Sequence, residues 1–203
     1  YEKIDPVRFI GNYSSGKMGF ALAEACAERG AEVTLVAGPV SLKTHHPAIK
    51  RIDVESAGEM YQAAMTAFPS SDAAILCAAV ADYRSENASE QKIKRETEGE
   101  MTLHLVPNPD IAASLGAIKR EGQVMVGFAL ETNDEATHAE GKLKRKNLDF
   151  IVLNSLRDQG AGFRCDTNKI TIIDNAGGVT SYPLKTKREV ACDIVNKLVT
   201  LLK

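Results

Sequence analysis

Ala73-Ala74-Ile75-Leu76-Cys77-Ala78-Ala79-Val80 runs straight into Ala81-Asp82-Tyr83. The first eight residues are apolar at odd and even positions alike, the pattern of a parallel strand covered on both faces. In open α/β sheets ligands sit beyond the carboxyl ends of the strands, so topology alone places Asp82 at a binding site. The segments on either side repeat the same grammar. An apolar helix from about Met18 to Arg29 stops at Gly30, and Glu32 to Ala37 follows as a buried strand. Ile49 to Val54 forms a further strand, after which Ser56 caps a helix carrying Met60, Ala63, Ala64 and Phe68. Asp110 caps a helix reaching Arg120, Val124 to Ala129 returns to the sheet, Asn133 or Asp134 precedes a basic helix through Lys146, and Phe150 to Asn154 is one more core strand. The expected fold is α/β, a three-layer Rossmann-like sandwich with a mostly parallel sheet.

Two stretches break this rhythm. From Arg84 to Glu100 the chain is polar and charge-rich, read either as a solvated loop or as a mobile flap over a ligand site. Met101 to Val106 then alternates as a half-exposed strand. Near the end, Lys169 to Asp174 and Val179 to Tyr182 flank Gly177-Gly178 as an antiparallel hairpin, the small antiparallel extension of the sheet. Thr186 and Glu189 form a capping box ahead of an apolar stripe of Val190, Ala191, Ile194, Val195, Leu198, Val199 and Leu202.

Composition sets limits. With 203 residues, 44% of them apolar, the chain can bury one sizeable core and is most simply one domain. A net charge of -2 supplies no basic field for a nucleic-acid partner, and no apolar stretch approaches the roughly 20 residues needed to span a bilayer. A cytoplasmic protein is expected. Cys26, Cys77, Cys165 and Cys192 lack paired spacing and are expected to stay reduced. His45-His46 precedes Pro47 without a carboxylate or cysteine at ligand spacing and reads as loop; no metal ligand can be named from the sequence.

Chemistry enters at Asp5-Pro6-Val7-Arg8-Phe9-Ile10-Gly11-Asn12-Tyr13-Ser14-Ser15-Gly16-Lys17-Met18-Gly19. Small hydroxyl and glycine residues open into a helix. Ser14 or Ser15 can cap it, Gly16 lets backbone N–H groups approach an anion, and the helix dipole and Lys17 add positive charge. The spacing is neither the P-loop nor the dinucleotide fingerprint.

Downstream lie Ala78-Ala79-Val80-Ala81-Asp82-Tyr83, Lys92-Ile93-Lys94, Asn108-Pro109-Asp110-Ile111, Gly127-Phe128-Ala129-Leu130-Glu131-Thr132 and Lys142-Leu143-Lys144-Arg145-Lys146-Asn147. With Ser-Ser-Gly-Lys-Met-Gly, this ordered set resembles the bacterial phosphopantothenoylcysteine synthetases, the ligase step of coenzyme A biosynthesis. The resemblance covers nearly the whole chain, residues 1–203, as a single synthetase domain. It implies that a strand and a Gly-rich loop ahead of the segment matching Tyr1 are missing from this sequence, and that no flavin is bound in this segment.

The resemblance also implies a reaction. CTP activates the carboxylate of 4′-phosphopantothenate as an acyl-cytidylate, and L-cysteine then displaces CMP, with Mg2+ expected alongside the nucleotide and a homodimer as the assembly. Catalytic roles fall on Asn12, Lys92 and Arg8, with Asn12 donating to the acyl carbonyl as cysteine attacks. CTP contacts are implied for Leu76, Ala78, Asp82, Lys92, Asn108, Pro109, Asp110, Ile111, Phe128, Lys142 and Lys146, and phosphopantothenate contacts for Ser14, Ser15, Gly16 and Lys17. Taken without the family, Lys142 and Lys146 are one exposed helix face, Asn12 is a turn former, and Phe128 is core. A Rossmann-type nicotinamide oxidoreductase shares the fold expectation but needs a G-x-G-x-x-G turn that this sequence lacks. A non-catalytic nucleotide-binding module is the third reading.

Overall fold

A computed structural model of the chain describes residues 1–94, 100–131, 135–155 and 165–202. The chain opens with a two-stranded antiparallel hairpin, β1 (Glu2–Lys3) and β2 (Phe9–Ile10). Helix α1 (Lys17–Ala27) leads through Gly30, at φ +86°, into β3 (Val33–Ala37), which pairs in parallel with β4 (Ile49–Asp53). Helix α2 (Ala57–Ala67) begins as expected at Ser56, whose hydroxyl accepts from the Glu59 N–H. The buried Glu2 carboxylate accepts from the Ala57 N–H at 2.7 Å, adding an anion at that helix N-terminus.

Strand β5 (Ala73–Leu76) is followed by a short antiparallel pair, β6 (Tyr83–Ser85) with β7 (Leu105–Pro107). Helix α3 (Ile111–Ile118) precedes β8 (Val124–Glu131), and α4 (Glu135–Arg145) precedes β9 (Phe150–Ser155). The tail holds β10 (Thr167–Asn168), β11 (Ile170–Asp174), β12 (Val179–Ser181), β13 (Lys185–Thr186) and α5 (Lys187–Leu201). Both halves of the Thr186/Glu189 capping box form.

The main sheet runs β12-β11-β9-β8-β5. Its β5–β8 and β8–β9 pairs are parallel, whereas β9–β11 and the β11–β12 hairpin are antiparallel. Strand alternation divides the core into two layers. Val124, Val126, Phe150, Val152, Ile170 and Ile172 pack against α1 and α5; Met125, Ala129, Ile151, Leu153 and Ile173 pack against α3 and α4. This is the expected three-layer sandwich.

The structure corrects several local expectations. The eight-residue apolar run yields only four residues of β5, half-buried, with β8 as its sheet neighbour. Among the described residues it lies at an edge of its sheet, not the centre. Ala73 and Ile75 face the α1 layer and Ala74 and Leu76 the α2 layer, and those two helices also pack on β3. Strands β3 and β5 therefore belong to one layer, and among the described residues the β3 edge away from β4 and the β5 edge away from β8 carry no strand partner. The strand expected at Met101 to Val106 shrinks to Leu105–Pro107, set by its pairing with β6. Helix α3 stops at Ile118 instead of Arg120, and Val199 of the expected α5 stripe is exposed. The cap expected at Asn133 or Asp134, and part of the 84–100 stretch, lie outside the described residues.

Helix α3 crosses the turn between α4 and β9 at Gly116. A Cβ there would collide with the Lys146 carbonyl, and Asn147, at φ +51°, donates its side-chain amide to the Gly116 carbonyl at 3.0 Å. Lys119 reaches the Asn147 carbonyl at 3.1 Å and Asp149 at 2.6 Å, closing the junction. We expect Gly116→Ala to lose about 1–3 kcal/mol in urea denaturation, because backbone must move to admit the methyl group. Gly141→Ala, on the same layer but with nothing within 4 Å of the added carbon, should be neutral or stabilising.

Candidate functional site

The chain leaves the ladder after Leu76, and residues 77–82 cross the carboxyl edge of the sheet. Two asparagines hold this crossing from opposite sides. Asn12 Nδ2 donates to the Val80 carbonyl at 3.0 Å, and Asn108 Nδ2 donates to the Ala81 carbonyl at 2.9 Å. The Asn108 backbone N–H adds a bond to the Asp82 carbonyl at 2.8 Å, leaving the exposed Asp82 side chain at the rim. The sequence spacing of Asn12, Val80 and Asn108 thus collapses to one junction.

Asp110 lies beyond Pro109 and caps α3 as expected, accepting from the Ala113 N–H at 3.0 Å. Lys146 reaches the same carboxylate at 3.0 Å. Partial burial pushes the Asp110 carboxyl up, but the Ala113 N–H and the Lys146 ammonium outweigh it and hold its pKa below the ordinary range. Lys146 lies just past the end of α4, its N–H still bonded to the Lys142 carbonyl at 3.0 Å, so the two lysines share one helical face. Ile111 is buried in the α3 layer.

Phe128 is the outlier of this group. It packs on the α1 and α5 layer, while Asp110 and Lys146 belong to the opposite one. Strand alternation dictates this, since Val124 and Val126 share that face. The β5–β8 register pairs Leu76 with Gly127, which sets Phe128 level with the residue where β5 exits. Ala78 is exposed and Leu76 half-buried on either side of that exit.

On the other side of Asn12, the expected serine cap of α1 does not form. Gly16, at φ +74°, is the cap residue, and its N–H points to the Ser14 hydroxyl at 3.3 Å. The left-handed backbone favours glycine, and a Cβ would sit 3.1 Å from Val40 Cγ1. Lys17 pairs with Asp166 at 2.5 Å, and that ammonium lowers the Asp166 carboxyl pKa. Ser14, Ser15, Gly16 and Lys17 therefore form one rim beside Asn12, with Lys17 supplied with a resting partner.

The polar stretch after β6 is neither a free loop nor an unattached flap over its described part. Ser89 N–H bonds the Ile4 carbonyl at 2.9 Å, and Ile93 N–H bonds Asp5 Oδ2 at 3.1 Å. Arg8 donates to Asp5 Oδ2 through Nε at 2.9 Å and Nη2 at 2.5 Å, and to the Ile93 carbonyl at 2.8 Å. The Arg8 bond first, then the Val7, Arg8 and Ile93 N–H groups, hold the Asp5 carboxyl far below the usual carboxylate range against the opposing pull of burial. Lys92 stands next to this anchor, exposed and with no ion-pair partner among the described residues. The sequence assigned Asp5 no role of its own, although its carboxylate organises this anchor. Its available signal was the Asp-Pro turn, in which a carboxylate takes backbone N–H groups two and three residues on.

Comparison with known proteins places the chain in a family. Residues 1–202 match the family model described as DNA/pantothenate metabolism flavoprotein C-terminal domain. A protein of an unknown prokaryotic organism, named cysteine/cysteine sulfinic acid decarboxylase, is 59% identical over 99% of this chain and 56% of its own length. The coenzyme A biosynthesis bifunctional protein CoaBC of Vibrio parahaemolyticus is 48% identical over 99% of this chain and 50% of its own length. The chain thus spans about half the length of the curated relatives it matches. Among solved structures, the C-terminal domain of a coenzyme A biosynthesis bifunctional protein CoaBC superposes with a TM-score of 0.82 at 40% identity, covering 98% of this chain and 91% of that one.

Asp110→Ala removes the α3 cap and the Lys146 contact together and should cost about 1 kcal/mol, as lost caps do. Because the folded carboxyl titrates below its unfolded value of about 3.9, the stabilisation is present above that pH and declines as pH falls through the folded pKa. The difference between the denaturation midpoints of the two proteins should therefore be full at neutral pH and shrink progressively as pH is lowered below about 3.9.

Proposed function

The chain belongs to the DNA/pantothenate metabolism flavoprotein C-terminal domain family, and on that premise we propose that it joins 4′-phosphopantothenate to L-cysteine in coenzyme A biosynthesis, using CTP. The observation that carries the reading is the junction at Val80-Ala81, where Asn12 from the glycine-serine rim and Asn108 from the Asn-Pro-Asp turn meet on one crossing of the sheet edge. A site built this way can hold two ligands side by side, one at each rim.

In the first step a carboxylate oxygen of phosphopantothenate attacks the α-phosphorus of CTP. The bond to the bridging oxygen breaks, and pyrophosphate leaves. In the second step the cysteine amine attacks the acyl carbon, the new C–N bond forms, the amine loses a proton, and CMP departs with its oxygen. Neither step needs a protein nucleophile, so positioning and charge stabilisation carry the catalysis. Lys92 faces the triphosphate from its arm, and Lys142 and Lys146 serve the nucleotide from the α4 end. Leu76, Ala78, Asp82, Asn108, Pro109, Asp110, Ile111 and Phe128 frame it around the β5 exit. The Gly16 backbone, Ser14, Ser15 and Lys17 take the phosphopantothenate phosphate at the α1 N-terminus. Asn12 keeps a second amide hydrogen beyond its bond to Val80 and donates it to the acyl oxygen. Arg8 adds charge through Nη1, the nitrogen left over from its bonds to Asp5 and Ile93.

The donor chemistry suits magnesium as a companion of the nucleotide. Such a cation takes one or two carboxylates plus substrate phosphates, and Asp82 offers an exposed carboxylate at the sheet edge. When bound it would neutralise charge on the departing pyrophosphate. The free cysteines Cys26, Cys77, Cys165 and Cys192 suit a reducing, cytoplasmic compartment. A homodimer is supported by the apolar side chains that the first hairpin region leaves exposed, Val7, Phe9 and Tyr13. Among the described residues the outer edges of β3 and β5, in a layer shared by α1 and α2, have no strand partner and would accept one further parallel strand.

Pyrophosphate release with phosphopantothenate should be far faster with CTP than with ATP; equal turnover would remove the cytidylate assignment. Asn12→Asp places negative charge where negative charge develops, so cysteine attack should fail more severely than activation. Denaturing mass spectrometry of that variant with CTP, magnesium and phosphopantothenate should reveal an accumulated acyl-cytidylate, and normal turnover would return Asn12 to a turn former.

A further inference from the structure

The Asp5 side chain is fully buried and accepts five N–H bonds divided between its two oxygens. Oδ1 takes the Val7 and Arg8 backbone N–H groups, both at 2.8 Å, which closes the local turn. Oδ2 takes Arg8 Nε, Arg8 Nη2 and the N–H of Ile93, a residue 88 positions away. Arg8 Nη2 also donates to the Ile93 carbonyl. Both backbone polar groups of Ile93 are thus held by the Asp5–Arg8 pair. A turn alone requires only Oδ1, so the Oδ2 face serves the arm.

We propose that Asp5 is a positioning residue for Lys92: with Arg8 it latches the Ile93 peptide to the β1–β2 turn and so sets where the Lys92 ammonium stands. Lys92 is exposed and adjoins the latched residue, so its placement comes from the backbone on its carboxyl side. Ser89, bonded to the Ile4 carbonyl, fixes the other end of the same arm to the residue before Asp5. The arm between them contains only one half-buried apolar side chain near its end, Ile93, so packing holds it weakly and the carboxylate supplies the specificity. This inference rests on the reading of Lys92 as a nucleotide-facing lysine.

Asp5→Asn is the discriminating change in the full chain. The amide oxygen can still accept the Val7 and Arg8 N–H groups, but the nitrogen in place of Oδ2 cannot accept from Ile93 or Arg8. Two readouts are needed, steady-state pyrophosphate release and the rate of tryptic cleavage after Lys92 and Lys94, on protein confirmed folded by circular dichroism. We expect faster cleavage at the arm, a fall in kcat of about 10- to 100-fold, as misplacement of a charged group by an ångström produces, and an unchanged KM for phosphopantothenate. Unchanged cleavage, or unchanged kcat, overturns the latch. If the asparagine protein does not fold, Ile93→Pro deletes the single arm N–H that Asp5 accepts and leaves the Asp5–Arg8 pair intact; trypsin does not cut a Lys-Pro bond, so cleavage is then read after Lys94 alone, and the same outcomes apply. Lys92→Gln separates the two readings. Normal turnover in that variant sinks the nucleotide role of Lys92, while loss of turnover there with no effect of Asp5→Asn sinks only the latch.

Discussion

Strands β8 and β9 are covered on both faces, and this constraint organises the rest. Met125, Val126, Phe150 and Val152 are wholly buried, so the backbone groups between them have no water and must bond within the ladder. The Val126–Phe150 register follows from that pairing, and with it the positions of everything hung on the sheet. Gly127 then leaves room for Leu148, whose Cδ1 would stand 2.5 Å from an added Cβ. Gly116 of α3 abuts the same turn, and Lys146 is aimed up α3 toward Asp110. A charged contact at the rim is thus a consequence of packing at the base.

Where local chemistry decides structure, the sequence was legible. Ser56, Asp110 and the Thr186/Glu189 box start their helices as read, because each satisfies donors within its own first turn. The β11–β12 hairpin forms around Gly177-Gly178, with Asp174 accepting from Gly178 N–H at 2.8 Å. Where pairing partners decide, it was not. The run from Ala73 to Val80 has the composition of an interior strand, yet ladder ends are set by neighbours, and β5 has a partner on one side. The β1–β2 hairpin has two residues per strand, too few for any periodicity.

The site was legible in a similar, divided way. The family resemblance named the candidate residues, and topology alone named Asp82, but neither said which side chains meet. The Asn12–Val80 and Asn108–Ala81 bonds join a side chain to a distant carbonyl, a contact with no sequence signature. Asp5 escaped notice for the same reason: four of its five bonds are local, and the fifth crosses to a stretch that composition marks as solvent-facing.

Three cations of the candidate site, Arg8, Lys17 and Lys146, each rest on a carboxylate, and the environments of those carboxylates differ. Asp166 is 83% exposed and Asp110 46%, so water screens both pairs and each lysine can exchange its carboxylate for a ligand phosphate at little cost. Asp5 has no exposure at all. Moving Arg8 away would leave a buried carboxylate short of its charged partner, a far heavier cost than the loss of a surface pair. Lys17 and Lys146 are therefore free to exchange partners at the surface, whereas Arg8 is fixed in the frame of the first hairpin.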